Sequence, residues 1–355
     1  MIELTDTDSS AIAAEFVRSR RRSGSPAMGM IMTVVVVADD EDAEESMRVA
    51  RAASQEHPAR ILGVVLGDKR GASQVDAKVA IGSGASGERA MITLTGEVVN
   101  HPQSVVLPLL LPDSPVVVWW PGRAPTDPAV DPLGMLGNRR ITDAASAPTA
   151  KAKAMLHQCA SYAPGNTDLA WTRITGWRAL LAAALDQFPG KVHSASVTAE
   201  RISPSADLLS AWLASRLRCE VTRRSSAGPG ITAVVLSTRH GDVSITRSDG
   251  RLATLSTPGQ PDRPVALKRR DLAELLNEEL RRLDPDDVYA ATVRRMVEAD
   301  GQPSAGRAAP GKRSGPRTSD TGKRPAPTAT KAASKRTSTA GKGAAPRRTS
   351  SAKKA

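Results

Sequence analysis

Aromatic residues are scarce in this chain of 355 residues, which contains five Trp, two Tyr and two Phe. The hydrophobic cores must therefore be built mainly from Ala, Val, Leu and Ile. Cysteine is nearly absent as well, because only Cys159 and Cys219 occur and they form no CxxC pair. Two distant cysteines argue against a disulfide framework and a thiolate metal site, and they favour a reducing compartment.

Long hydrophobic runs are also absent. The most apolar stretch, residues 105–120, has 16 residues and is interrupted by Pro108, Pro112 and Pro115. It is too short and too broken to span a bilayer. The N-terminus has no basic segment followed by an apolar one, so the sequence predicts no secretory signal. We expect a cytoplasmic protein that does not contact a membrane.

Acidic residues are almost missing from the last part of the chain. Residues 301–355 contain 14 basic residues and one acid, Asp320, and no Val, Ile, Leu, Met, Phe, Tyr or Trp. Such a segment has no apolar area to offset the entropy cost of ordering, so it is predicted to be disordered. Two functions fit it: a solubilising appendage, or an arm that contacts nucleic acid weakly through phosphates, without aromatic rings to stack on bases.

The rest of the chain is electrostatically balanced, with 35 basic and 36 acidic residues in positions 1–300. This balance excludes a basic nucleic-acid-binding domain on charge alone. The length suffices for two domains of ordinary size.

The first part of the chain has the pattern of an α/β domain. Residues 30–38 and 60–66 are continuous apolar runs typical of buried strands, and an amphipathic helical segment lies between them. Strand, helix and strand at this spacing predict a βαβ unit with a parallel pair. Residues 76–81 and 89–98 alternate with a period of two and predict a hairpin. We therefore expect a mixed sheet in residues 1–160.

The second part predicts an α+β domain in residues 161–300, before the tail of residues 301–355. Apolar stripes at helical spacing predict four helices, around residues 177–188, 209–217, 272–283 and 288–296. Strand patterns occur at residues 191–198, 231–237, 243–247 and 251–255. They predict an antiparallel sheet with helices on one face.

One glycine motif has the spacing of a dinucleotide-binding loop. Residues 82–87 read GSGASG, but that mechanism needs a helix after the loop, and Glu88 is followed by a strand pattern. We interpret the motif as a hairpin turn and expect no cofactor. The five histidines are dispersed, and no hydrolase, P-loop or metalloprotease signature occurs. The sequence thus nominates no catalytic residues and no metal site.

Three stretches concentrate the scarce aromatic residues and arginines. In VVVWWPG, Trp119 and Trp120 point to opposite sides of a strand, so they are either sandwiched between layers or one is an exposed anchor for a partner. Arg139 and Arg140 in DPLGMLGNRRITDA fit either a solvated helix end or bidentate binding of phosphate or carboxylate.

The third stretch, residues 161–177, fits an inter-domain joint or a binding surface. Together the three stretches give eight candidate partner-binding residues: Trp119, Trp120, Arg139, Arg140, Asp168, Trp171, Arg173 and Trp177.

These stretches resemble a known family. The segments VVLPLLLPDSPVVVWWPG from Val105, DPLGMLGNRRITDA from Asp131 and YAPGNTDLAWTRITGWRALLAAALDQ from Tyr162 are similar to the OpcA family of glucose-6-phosphate dehydrogenase assembly proteins. The resemblance covers roughly residues 30–295 and rests on collinear motifs, whereas the tail departs from it.

The resemblance implies an accessory protein without catalysis of its own. It implies binding to glucose-6-phosphate dehydrogenase and promotion of its assembly or allosteric activation, in support of NADPH production in the oxidative pentose phosphate pathway. The eight candidate residues are then expected to contribute to the partner surface. The alternative from another class is a nucleic-acid-associated protein that acts through its basic tail.

Overall fold

The computed structural model describes residues 1–23, 29–81, 87–247 and 249–301. The described residues belong to one compact unit. The predicted disordered tail after Gly301, and residues 82–86 of the glycine motif, lie outside them. Within the described residues, no helix has the length and apolar character needed to cross a membrane.

The described part contains two sheets and the helices that cover them. The strands are β1 (Ile2–Leu4), β2 (Met32–Ala38), β3 (Ala59–Leu66), β4 (Gln74–Ile81), β5 (Glu88–Thr95), β6 (Val116–Trp119), β7 (Arg139–Thr142), β8 (Asn166–Asp168), β9 (Val192–Ala199), β10 (Glu220–Ser225), β11 (Ile231–Thr238), β12 (Gly241–Thr246), β13 (Leu252–Ser256) and β14 (Arg263–Ala266). The α-helices are α1 (Ser9–Ser23), α2 (Asp40–Ala53), α3 (Pro102–Val106), α4 (Lys151–Ala160), α5 (Leu169–Thr172), α6 (Thr175–Gln187), α7 (Pro204–Leu217), α8 (Leu272–Leu280) and α9 (Asp287–Asp300).

The first sheet is mixed and has eight strands in the order β1-β4-β5-β3-β2-β6-β7-β8. Strands β2 and β3 pair in parallel through α2, and β4 and β5 form an antiparallel hairpin. The predicted βαβ unit and hairpin are therefore confirmed. The run of four valines in β2 fits its central position, because layers cover both faces of this strand.

The second sheet has six strands in the order β10-β9-β11-β12-β13-β14. Four neighbouring pairs are antiparallel, as the sequence predicts, whereas β9 and β10 pair in parallel through α7. The sequence analysis missed β10 because this edge strand, EVTRRS, is largely exposed and has little apolar content. The predicted α+β class of this region is confirmed.

Each face of the first sheet has its own core. Trp120 packs on one face with Phe16 and Leu133, and Trp119 packs on the other with residues from α2 and α8. The adjacent tryptophans thus fill two different layers, as their alternation along the strand requires. Helix α8, although late in the chain, covers the first sheet through Leu275 and Leu276.

A third core lies between the second sheet and the helices α4, α6, α7 and α9. It contains Trp171 and Trp177 together with Leu209, Leu213 and Leu236. Strand β8 belongs to the first sheet, and α8 packs against α2 of the first part of the chain. Elements after residue 160 therefore pack with the first sheet, and helix α4, which ends at residue 160, packs in the third core. The predicted boundaries at residues 160 and 300 stay predictions.

We expect Trp119→Ala to lower the free energy of unfolding by about 3–5 kcal/mol, because the removed ring leaves a cavity between β6 and α8. Urea unfolding followed by far-UV circular dichroism measures the loss. Trp212→Ala is the matched control, because Trp212 is only partly buried at the edge of the third core and its removal should cost less than half as much. Equal losses in the two variants would contradict the layered packing.

Candidate functional site

The parallel strands β7 and β8 end side by side and bring polar residues together. Asp168, at the end of β8, is fully buried and begins helix α5 as its N-cap. Its carboxylate accepts hydrogen bonds from Thr142 Oγ1 at 2.6 Å, from Ala144 N at 2.9 Å and from Ala170 N at 2.8 Å. Burial and then the neighbouring negative charge of Asp143 raise the pKa of Asp168, while these three donors lower it in part.

Arg173 closes this edge from the other side. Its guanidinium donates two hydrogen bonds to the carboxylate of Asp143, at 2.6 and 2.7 Å. The Asp143 side chain is fully buried, whereas Arg173 keeps 28% of its side chain exposed. This bidentate pair fixes the planar guanidinium and leaves one side of it accessible.

A second buried ion pair joins the first sheet to α8. Arg139 of β7 donates to Glu279 of α8 and, at 2.9 Å, to the backbone carbonyl of Asp284. Thr172 Oγ1 donates to the other Glu279 oxygen at 2.6 Å. Both ionised side chains are more than nine-tenths buried. We call Arg139, Asp143, Asp168, Thr172, Arg173 and Glu279 the polar joint.

Trp171 and its neighbours extend the polar joint towards α9. The Trp171 indole donates to Asp286 Oδ2 at 2.9 Å, and Asp286 caps α9 by accepting from the backbone of Val288 and Tyr289. The Arg178 guanidinium lies 3.6 Å from the centre of the Trp171 ring. Burial lowers the pKa of Arg178 to about 10.

The structure changes the interpretation of the candidate residues. Trp119, Trp120, Trp171 and Trp177 each expose at most 2% of their surface. Of the two alternatives for Trp119 and Trp120, the structure shows the rings sandwiched between layers, and neither ring is an exposed anchor. The physical reason is that aromatic-poor layers use their few large rings to fill the interior.

The structure also places the four charged candidates. Arg139 and Asp168 are buried, and Arg140 is engaged by backbone carbonyls of Gly137 and Pro164 and by Asn166. Among the eight, only Arg140 and Arg173 are partly accessible. Arg139, Asp168, Trp171 and Arg173 do meet at the polar joint and its extension towards α9, whereas the two strand tryptophans lie in separate layers.

Beside the polar joint lies a cavity of about 260 Å³, which we call the basic pocket. Arg173 and Trp177 line it, so two of the predicted residues reach it. Sequence reasoning missed its other charged residues because they are dispersed along the chain. These are Lys151, Glu200, Arg247, Lys268, Arg269 and Arg270.

The described residues contain no group of three or more His, Cys, Asp or Glu side chains able to hold a metal ion. Cys159 is buried and Cys219 half-buried, and both are free thiols. Burial raises the pKa of each thiol, which favours the protonated form over the reactive thiolate.

Two family models match the chain in order. One describes the N-terminal domain of a glucose-6-phosphate dehydrogenase subunit and matches residues 50–161, and the other describes the C-terminal domain of that subunit and matches residues 164–293. The chain belongs to the OpcA family. The resemblance deduced from the sequence motifs is thereby confirmed, and nothing in the family descriptions supports the nucleic-acid alternative.

No curated protein matches this OpcA-family chain significantly. Among solved structures, a variant of KijD10, a 3-ketoreductase from Actinomadura kijaniata in complex with TDP-benzene and NADP, is 9% identical, covers 76% of this chain and 96% of its own, and gives a TM-score of 0.41. An oxidoreductase from Sinorhizobium meliloti is 9% identical, with coverages of 76% and 95% and a TM-score of 0.39. A D-galactose-1-dehydrogenase from Rhizobium etli is 10% identical, with coverages of 78% and 96% and a TM-score of 0.38. At these TM-scores the likeness carries no statement about activity.

For the OpcA-family polar joint, we expect Arg139→Met to lower the free energy of unfolding by about 3–5 kcal/mol, because it leaves the buried Glu279 carboxylate without its counter-charge. Urea unfolding measures the loss. The double variant Arg139→Met/Glu279→Gln should lose less than the single variant, since the amide removes the charge and still accepts from Thr172. A double variant as unstable as the sum of both single variants would show that the ion pair is not coupled.

Proposed function

We propose that this protein is an accessory protein that binds glucose-6-phosphate dehydrogenase and promotes its assembly or allosteric activation. The observation that carries the proposal is the pair of collinear family models, both described as domains of a glucose-6-phosphate dehydrogenase subunit. In this proposal the chain performs no catalysis of its own, acts in the cytoplasm and supports NADPH production by the oxidative pentose phosphate pathway.

Activation by a binding partner has a simple energetic requirement. The accessory protein must bind the active state or oligomer of the dehydrogenase better than the inactive one, and the shift it causes is limited by that difference. A rigid surface meets this requirement best, because it is not reshaped by either state of the enzyme. In this proposal, the buried polar joint and the tryptophan-filled cores keep such a surface rigid from inside the protein.

The direct contacts must come from exposed residues next to the buried candidates. Val130 and Met135 lie on the loop that leads into β7, and they expose 67% and 63% of their surface. Single exposed apolar side chains are common on protein surfaces, but two of them on one loop offer an apolar contact to a partner. We therefore propose this loop as the dehydrogenase contact. Two of the predicted residues hold it in place: Arg140 donates to the backbone carbonyl of Gly137, and Trp120 packs in one core with Leu133.

The first test titrates the cognate glucose-6-phosphate dehydrogenase with the full chain and with a version that ends at Asp300. We expect a saturable rise in dehydrogenase activity with both, because the described residues up to Gly301 belong to one compact unit and the family match ends at residue 293. Analytical ultracentrifugation of the same mixtures separates assembly from allostery, since assembly changes the number of dehydrogenase subunits in the complex, whereas allostery adds only the mass of the bound accessory protein.

A rise with the full chain alone would move the mechanism to residues 301–355. No rise at any ratio, with both proteins folded, would overturn the proposed function.

The second test examines the loop. Met135→Lys should weaken dehydrogenase binding about tenfold or more, because a charge replaces an apolar contact at the interface centre, while the melting temperature stays within about 2 °C. Leu252→Lys is the matched control, because Leu252 is 54% exposed on the second sheet. Biolayer interferometry measures both affinities. An equal effect of the two substitutions would remove the loop from the interface.

A further inference from the structure

The basic pocket is built by elements that are distant in the chain. Its walls come from the first turn of α6 with Trp177, the N-terminus of α7, the start of β11, the residue after β12 and residues 268–270 before α8. Its volume of about 260 Å³ lies just below the range of about 300–1,000 Å³ that is usual for small-molecule sites. A dinucleotide is too large for it, whereas a small metabolite fits.

The charges of the basic pocket do not balance. Six cationic side chains and one carboxylate, Glu200, line it. Arg173, Lys268 and Arg270 each have a carboxylate partner outside the lining. Lys151, Arg247 and Arg269 form no ion pair with any residue that the structure describes.

Arg247 is the decisive residue, because it is buried and still lacks a counter-charge. It exposes 6% of its surface, and within the part of the chain that the structure describes its guanidinium donates only to the backbone carbonyls of Leu267 at 3.2 Å and Ile231 at 2.9 Å. Its Nε finds no acceptor within the described residues. One face of the guanidinium lies 5.1 Å from the centre of the Trp177 ring. A buried cation held by neutral groups alone is costly unless an anion arrives to pair with it.

The electrostatics of Arg247 agree with this geometry. Burial and then the positive charge of Arg269 lower the pKa of Arg247 to about 10, and no carboxylate among the described residues acts in the opposite direction. The guanidinium nevertheless stays charged at neutral pH. A doubly negative ligand between these two arginines would remove the repulsion and restore the charge balance.

The N-terminus of α7 adds donors to the same wall. Ser203, Pro204 and Ser205 line the basic pocket, and α7 has 14 residues, so its dipole favours an anion here. The Ser203 carbonyl accepts from the backbone of Ala206 and Asp207. The Ser205 N–H and both serine hydroxyls make no hydrogen bond with the residues that the structure describes, so they are available to a ligand.

Part of the wall is apolar. Ile174, Trp177, Ile231 and Leu275 line it beside the charged groups. Such a wall packs against the organic part of a ligand and has no use for a bare inorganic ion. The combination of a cationic end, unbonded donors and an apolar side matches an organic phosphate of a few carbon atoms.

We propose that the basic pocket is a binding site for a small phosphate monoester, whose phosphate group pairs with Arg247 and Arg269 and receives hydrogen bonds from the start of α7. This site goes beyond the proposed function and does not depend on it, because its test measures ligand binding to this chain alone.

Isothermal titration calorimetry of the full chain, at constant ionic strength, tests the site with glycerol 3-phosphate, inorganic phosphate and glycerol. We expect saturable binding of glycerol 3-phosphate with one site per chain, weaker binding of inorganic phosphate and none of glycerol. Binding of inorganic phosphate as tight as that of the ester would overturn the assignment to an organic phosphate. Absence of saturable heat with both phosphates would overturn the site itself.

Arg269→Ala and Lys151→Ala should each weaken glycerol 3-phosphate binding about tenfold, because each removes a charge-assisted contact. Both residues are exposed, so these variants are expected to fold. Arg239→Ala is the matched control, because Arg239 is an exposed arginine in the turn at the opposite end of β11. Equal weakening by the control would show that binding is a non-specific charge effect and would contradict the proposal.

The variant Arg247→Met distinguishes an arginine that binds the ligand from one that only stabilises the fold. Without ligand its melting temperature should match or exceed that of the unchanged protein, because an unpaired buried charge is removed. The rise in melting temperature that the ester causes in the unchanged protein should be lost. A large destabilisation of the ligand-free variant, together with unchanged ester binding in Arg269→Ala, would assign Arg247 to the fold and overturn the site.

Discussion

The buried ion pair between Arg139 and Glu279 is the interaction on which the arrangement of this protein depends. It links β7 of the first sheet to α8, which lies about 140 residues later in the chain. Each charge is desolvated, so neither is tolerated without the other. The pair therefore fixes where α8 lies on the first sheet, and Leu275 and Leu276 then close the face that holds Trp119.

The position of α8 determines its neighbours. Glu279 accepts from Thr172 and Glu278 accepts from Thr175, so α8 also holds the turn between α5 and α6. Helix α5 carries Trp171, whose indole donates to Asp286, the N-cap of α9. The hydrogen bond to Asp286 orients the Trp171 ring. A chain with so few aromatic rings uses its tryptophans to fill its three cores. Tryptophans in this role are buried. Composition alone does not show which aromatic residues are buried, so it left two interpretations of residues 161–177, an inter-domain joint and a binding surface.

Local sequence patterns predicted the elements that depend on local burial. The apolar run that became β2, the hairpin of β4 and β5, and the leucine stripe of α8 each carry their own periodicity. The patterns did not reveal that α8 covers the first sheet, because a stripe reports that a face is buried and not which partner buries it.

Strand β10 gave no signal because it is an exposed edge strand with little apolar content. Asp168 and Arg173 were found by their aromatic neighbours, and Arg139 and Arg140 as an adjacent pair of arginines. Arg247 was not found, because it lies in a polar stretch of the sequence. Its distinguishing feature is that it pairs with no acidic residue that the structure describes, and only the three-dimensional arrangement shows this.

Arg173 connects the polar joint with the basic pocket, since it pairs with Asp143 and also lines the cavity. The pocket draws its walls from α4, α7, the second sheet and the segment before α8. A ligand that contacts Lys151, Arg247 and Arg269 together must stabilise the arrangement in which those elements are close, because binding to one state shifts the population towards it. The unbalanced charge of the pocket acts against that arrangement when the pocket is empty. The stability of this junction is therefore set by the ligand as well as by packing, and the rigid surface that a partner needs would be most complete when the anion is bound.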